Sequence, residues 1–214
     1  MNDSPTTQEQ QFLGGPPEVF ETVGREQLAA LLDFRLSPES VVLDIGCGCL
    51  RGGRWIIPLL NAGHYCGIEP NREMIEYGLS HIVEPEIIRI RRPRFDHNDR
   101  FDFSVFDMLF THFIARSVWT HADKSQIGAM LDGVAKTGTP DAVLLASYRP
   151  AHWYRNDDYK GTGWVGRSHE SDQSGMIRHS HSWIARACRA RGLAVSRVDR
   201  PIVNGQPWLA IRRA

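Results

Sequence analysis

The stretch VVLDIGCGCLRGG, residues 41–53, constrains the fold more than any other part of the chain. The run VVLDI (41–45) is apolar almost throughout, as in a strand buried on both faces. It stops in a turn of glycines and cysteines. A strand that ends in a Gly-rich turn before a helix brings backbone N–H groups close to a ligand, and a Cβ would block that approach. Three uses fit such a turn: a cradle for a nucleotide-like cofactor, a cysteine metal site, or a tight turn with no ligand. The next strand, HYCGIE (64–69), weighs toward the first, because it ends at Glu69, 23 residues after Gly46. A carboxylate at that strand end can accept hydrogen bonds from both hydroxyls of a ribose.

The alternatives fit less well. Cys47 and Cys49 are one residue apart, and Cys66 and Cys188 add no second close pair. Structural zinc takes its cysteines in C-x₂₋₄-C pairs, so no metal is expected. Small side chains that fit a crowded turn account for the two thiols. A dinucleotide fingerprint needs G-x-G-x-x-G, and Arg51 stands where its third glycine belongs. A P-loop needs a lysine that this region lacks.

The rest of the chain alternates strands and helices. Residues 1–17 are polar, end in GGPP and read as a flexible arm, with a single domain over 18–214. Residues 18–33 place Phe20, Val23, Leu28, Leu31 and Leu32 at helical spacing. RWIIPLL (54–60) is helical, with Pro58 in its first turn or at a kink. NREMIEYGLSHIV (71–83) is a helix capped by Asn71. PEIIRIRRP reads equally as a short helix or a strand, and RFDHN (94–98) is a strand candidate. MLFTHFIA (108–115) and AVLLASY (142–148) are strands, with the helix KSQIGAMLDGVAK (124–136) between them. SWIARACRAR (182–191) is a helix stopped by Gly192. LAVSRVD (193–199) and PWLAIRR (207–213) flank the turn signal Asn204-Gly205. The fold class is therefore α/β, Rossmann-like and doubly wound, with a mostly parallel sheet and a C-terminal antiparallel β-hairpin at or near its edge. Residues 149–179 break the rhythm, and a loop of that length is often a lid or binding loop.

Composition bounds the partners. There are 25 basic and 25 acidic residues, for a formal net charge of +0, which argues against a nucleic-acid binder. No segment approaches the roughly 18–20 apolar residues of a membrane span. The polar N-terminus is not a signal peptide, so a soluble cytoplasmic protein is the expectation. Four cysteines in 214 residues do not make a disulfide framework. Oligomeric state is not legible.

VVLDIGCG followed by YCGIEPN resembles the first two motifs of class I S-adenosylmethionine-dependent methyltransferases. RFDHNDRFDFSVFD resembles that family's third-strand region, FIARSVWTH (113–121) its motif after strand four, and GLAVSRVD with WLAIRR its closing hairpin. The likeness covers roughly residues 40–148 and 182–213. It implies S-adenosylmethionine as cofactor. It places Gly46 and Gly48 along the methionine part, Asp44 near the amino group and Glu69 on the ribose. It places Asp99 on the adenine amine, with Asp102 as a rival, and Ala115 and Arg116 on the cofactor's other side. The family often carries a third glycine where this chain has Leu50.

The acceptor is less legible. The N/D-P-P-Y/F tetrapeptide of enzymes acting on amide or base nitrogens is missing. That favours a hydroxyl of a small molecule, whose proton needs a base. The histidine candidates are His121, which ends the strand-four motif, and His169, His179 and His181, in or beside the long loop. Each has a plainer reading, as a cap, packing or surface residue. Trp153, Tyr154, Tyr159 and Trp164 fit either a lid or a small satellite core. Two further readings stand beside the enzyme: a methyltransferase-like protein that binds cofactor without turnover, and a nicotinamide-dependent oxidoreductase.

Overall fold

The computed structural model describes residues 17–166 and 175–214. The expected arm, apart from Pro17, lies outside the described residues, as do His169, Glu170 and Asp172. Helix α1 runs over Pro17–Asp33. Its first residue is a proline, whose missing N–H would have no helical partner there. Phe20, Val23 and Leu31 turn inward as the spacing predicts, but Leu32 lies on the outer side, 50% exposed.

Five strands form the parallel part of the sheet: β1 Val42–Ile45, β2 Tyr65–Ile68, β3 Arg94–Asp96, β4 Phe110–Ala115 and β5 Gly138–Ser147. They are followed by β6 Leu193–Arg197 and β7 Trp208–Arg213, and the strand order is β3-β2-β1-β4-β5-β7-β6. β7 is antiparallel to both neighbours, so the hairpin's returning strand lies inside the sheet and β6 forms the edge. At the tip, Asn204 and Gly205 both take left-handed φ (54° and 66°) between the bridged residues Val203 and Gln206. Such a turn matches the strands' twist.

The strands read as unbroken apolar runs because both faces are covered. Successive residues sort to opposite cores. Leu43, Ile45, Phe113, Leu144 and Ala146 face one, and Val42, Ile114, Val143 and Leu145 face the other. The first core is filled by helices α5 Lys124–Thr137 and α6 His181–Arg189, and the second by α1.

The connections differ from the pattern where proline intervenes. The expected helix at 54–60 is one turn, α2 Gly53–Ile56, and Pro58 moves the chain into a 3₁₀ turn at Ile57–Leu59. After β2, Asn71 caps α3 Arg72–Tyr77 by accepting from Glu73 and Met74, and the helix widens at Gly78–Ile82. PEIIRIRRP resolves as a helix, α4 Pro85–Arg91, ended by left-handed Arg92 and Pro93. Among the described residues of 149–179 there is no helix or strand, only the bridges Pro150–His179 and Asp158–Arg178. The loop is fastened to the start of α5, where Asp158 meets Lys124 at 2.7 Å and Gly163 N donates to Asp123.

Candidate cofactor and acceptor site

The carboxyl ends of β1, β2 and β4 meet at one rim. β1 lies between β2 and β4, so the chain leaves it toward one side and later returns on the other. That switch point is where open α/β sheets bind ligands. The glycine turn crosses it. Gly46 and Cys47 both donate to the Ile68 carbonyl, at 2.8 and 3.1 Å, which pins the turn to the end of β2. Gly46 and Gly48 are left-handed, with φ of 68° and 54°, and a Cβ on Gly46 would come within 2.7 Å of Val118.

Leu50 is left-handed as well, with φ of 62°, and its side chain is fully buried. The position therefore keeps the backbone that a third glycine would adopt freely, while the isobutyl group packs into the α1-side core. Left-handed backbone costs a non-glycine residue roughly 1–2 kcal/mol. Leu50→Ala keeps that strain and opens a cavity, so a loss of about 2–5 kcal/mol is expected. Leu50→Gly opens a slightly larger one but releases the strain, and is expected to be the milder substitution. Urea unfolding of the two variants tests this reversal of the usual order.

Two buried carboxylates flank the turn. Glu69 accepts from Gly48 N on one oxygen and from Asn71 N on the other, both at 3.1 Å. Burial pushes it up to about 7, against the lowering effect of those two N–H groups. Asp44 accepts from the Tyr65 hydroxyl at 2.7 Å, and burial pushes it up to about 6. Both stay largely in water's absence at strand ends, where polar ligand groups would replace lost hydration.

Beyond β3 the acidic residues separate. Asp99 is exposed on the turn. Asp102 is committed to capping the 3₁₀ turn Phe103–Phe106 through Ser104. Asp96, which the sequence reading passed over, ends β3 beside Glu69. Its carbonyl accepts from Glu69 N at 3.1 Å, and its carboxylate accepts from Asn98 N at 2.9 Å. His97 Nδ1 lies 2.9 Å from the Glu69 carbonyl. A firm placement of β3 would have found both, because parallel register sets Asp96 against Ile68.

On the other side, Ala115 is fully buried at the end of β4. Arg116 turns into the protein. Its Nε donates to Glu26 at 3.0 Å, and its other nitrogens reach Ser117, Ser147, Gln206 and the Val203 carbonyl.

The histidines part ways. His121 Nδ1 lies 2.6 Å from the Val165 carbonyl, and its ring stacks on Trp164 at 5.5 Å. A carbonyl only accepts, so Nδ1 carries the hydrogen and Nε2 is the basic nitrogen. Burial holds its pKa below the usual histidine value. His179 is fully buried, with Nε2 bonded to the Ala122 carbonyl at 3.0 Å and Nδ1 enclosed without a partner among the described residues. His181 is the first residue of α6, after the Ser180 cap, and is half-buried. Of the loop aromatics, Trp164 packs inward whereas Trp153 is 95% exposed. Among the described residues no three His, Cys, Asp or Glu side chains gather as metal ligands, and no helix is long and apolar enough to cross a membrane.

No family model matches the chain. Solved structures do match its shape. A magnesium protoporphyrin IX methyltransferase from Synechocystis PCC 6803, with SAM bound, superposes at a TM-score of 0.67 and 15% identity, covering 100% of this chain and 87% of that one. The fold is that of class I S-adenosylmethionine-dependent methyltransferases. The mitomycin 7-O-methyltransferase matches at 0.63 and 19% identity, over 90% of this chain and 53% of that one. A glycopeptide N-methyltransferase complexed with SAM matches at 0.62 and 13% identity, over 88% and 93%. One fold therefore carries oxygen and nitrogen acceptors alike, and the acceptor atom has to be argued from side chains.

Proposed function

We propose that the chain transfers the methyl group of S-adenosylmethionine to a hydroxyl of a small-molecule acceptor, with His121 as general base. The observation that carries the cofactor is the pair Asp44 and Glu69 on adjacent strand ends, strapped across a left-handed glycine turn. The residues fit such a group: Glu69 for the ribose hydroxyls, Asp44 for the ammonium and the turn's backbone for the chain between them. Asp96 and Asp99 both belong to the segment that would face the base. When bound, the cofactor supplies an electrophilic methyl carbon on a positively charged sulfur. The protein's part is to align an acceptor oxygen with that carbon, keep water out and receive a proton.

His121 suits the last task. Its Nδ1 hydrogen is fixed on Val165, which sets the tautomer, and burial holds its pKa below the usual histidine value, against the raising effect of the Val165 and Gly175 backbones. Nε2 would take the acceptor's O–H proton as the bound cofactor gave up its methyl group. The enclosed Nδ1 of His179 is less suited to exchange a proton with a ligand.

Calorimetric titration with S-adenosylmethionine, S-adenosylhomocysteine and NAD tests the cofactor. Binding of the first two and not of NAD is expected, and binding of NAD alone would overturn the reading. With a hydroxyl acceptor found by screening, His121→Gln is expected to lower kcat by about 10²–10⁴ with little change in cofactor affinity. Unchanged kcat would remove His121 as the base.

A further inference from the structure

The segment that carries His121 is held by the long loop through three successive carbonyls. The Thr120 carbonyl accepts from Ile177 N at 2.8 Å, that of His121 from Val165 N at 2.9 Å, and that of Ala122 from His179 Nε2 at 3.0 Å. The first two donors are backbone groups. The third belongs to a side chain that changes charge near neutral pH. His179 also ties the two ends of the loop together. Its N donates to the Arg149 carbonyl and its carbonyl accepts from Ala151 N, both at 3.0 Å.

The imidazole is fully buried. Donation to a carbonyl fixes its hydrogen on Nε2, so Nδ1 carries the lone pair. Nδ1 is withdrawn from water and has no partner among the described residues. A proton arriving there would make a buried cation and a donor without an acceptor. The charged groups around the ring are already committed. Asp158 accepts from Lys124 Nζ and from Ser180 N, both at 2.7 Å. Asp123, the cap of α5, accepts from Ser125 and Gln126 on one oxygen and from Gly163 N on the other. Arg178 reaches the Pro150 carbonyl at 2.9 Å and Asp157 at 3.5 Å. From α6, which His181 begins, the ring meets Trp183 at 5.6 Å between centroids, and Lys124 Nζ lies 5.4 Å from that indole. Burial holds the His179 pKa below the ordinary 6.5, with Lys124 acting in the same direction, against the raising effect of Ala122, Asp158 and Asp123.

We propose that His179 is a positioning residue for His121: its neutral ring latches Val165 and Ile177 onto the carbonyls of 120–122, and its protonation releases them. The proposal deepens the reading of His121 as base and rests on it for its bearing on catalysis. Val165 is the residue whose carbonyl sets the His121 tautomer, so release of the latch frees that ring as well. The sign follows from burial. The latched state keeps Nδ1 bare, whereas the released state takes up a proton with ordinary affinity. The latch is therefore intact above the ordinary histidine value of 6.5 and weakens as pH falls below it.

Amide hydrogen exchange at Val165 and Ile177, corrected for the intrinsic rate, reads the release directly. It is measured at about pH 7 and pH 5.5 on the ligand-free full chain, as wild type, His179→Gln and His121→Gln. Glutamine at 179 keeps a donor for Ala122 but cannot titrate. Leu131, buried in α5, is the reference for global unfolding. In the wild type, protection of both amides is expected to fall about three- to tenfold on acidification, with Leu131 steady within about twofold. The fall is expected to vanish in His179→Gln and to persist in His121→Gln. Nuclear magnetic resonance titration of the His179 ring in the wild type is expected to give a midpoint below 6.5. That midpoint needs no variant to fold, and a value of 6.5 or above overturns the proposal. So does wild-type protection that ignores pH, a parallel loss at Leu131, a fall that survives in His179→Gln, or one that disappears in His121→Gln. No cofactor or acceptor enters these measurements, so each such result leaves the base assignment to the kcat of His121→Gln.

Discussion

Glu69→Ala is expected to weaken S-adenosylhomocysteine binding at least about 100-fold while changing the melting temperature of the ligand-free protein at pH 8 by only a few degrees. Charge-assisted hydrogen bonds are worth roughly 1.5–3 kcal/mol each, and a carboxylate on a ribose makes two. The fold has less at stake. Glu69 returns two backbone bonds, to Gly48 and Asn71, but its burial lifts it from 4.5 to about 7. Between those values the native state keeps a proton that the unfolded chain has released, so stability falls as pH rises through the window. Above pH 7 the ionised group costs the ligand-free fold on the order of 3 kcal/mol, at about 1.4 kcal/mol per unit. That cost already includes the two bonds, whose lowering effect burial outweighs. A ligand that donates hydrogen bonds to the carboxylate selects its ionised form. Affinity in the wild type is therefore expected to rise about 20-fold from pH 6 to pH 8, about tenfold from Glu69 and about twofold from Asp44, with proton uptake by buffer, and only the Asp44 part is expected to remain in Glu69→Ala. Calorimetry in two buffers of different ionisation enthalpy measures both. A pH-independent wild-type affinity would separate Glu69 from the ligand.

The contrast between legible and illegible parts of the site follows from where each residue's partners lie. β1, the glycine turn and Glu69 are written locally: a run buried on both faces, small residues where the backbone must turn, and a carboxylate at the next strand's end. β3 has only three residues and is incompletely buried, with the pattern exposed, intermediate, intermediate. Its apolar signal is too short to fix the end of the strand, and that uncertainty spreads to the choice among Asp96, Asp99 and Asp102. His121 was visible as the end of a motif, but its tautomer depends on Val165, 44 residues on, in a loop without periodicity. Leu50 looked like a departure, yet its backbone follows the conformation that glycine would take. Arg116 shows the limit most clearly. Its place after β4 suggested an approach to the cofactor, whereas its partners Glu26 and Gln206 each lie 90 residues away, in opposite directions. No local spacing encodes such a network.

Arg116→Met is accordingly expected to damage the fold far more than the binding of cofactor. The guanidinium is 2% exposed and Glu26 is 7% exposed. Arg116 also bonds Gln206 Oε1 at 2.5 Å, Ser147 Oγ at 3.2 Å and the Val203 carbonyl at 3.2 Å, and lies 5.5 Å from the Trp208 ring. One cation thus fastens α1, the ends of β4 and β5, and the hairpin tip. Methionine fills the volume but leaves Glu26 buried, with the Trp208 indole as its remaining donor. Breaking one side of a buried pair costs about 3–5 kcal/mol, and at this chain length each kcal/mol lowers Tm by roughly 2–4 °C, so a drop of about 10 °C is expected. Adding Glu26→Gln removes the stranded charge and is expected to restore more than half of the loss, since a neutral pair avoids most of the desolvation cost. Thermal unfolding of the single and double variants measures the recovery. Titration with S-adenosylhomocysteine well below the variant's Tm checks the other half, with less than about a threefold change expected. A large loss of affinity in a folded Arg116→Met would return that residue to the cofactor's side. Small losses in both would mean that Ser147, Gln206 and Trp208 hold the rim without it.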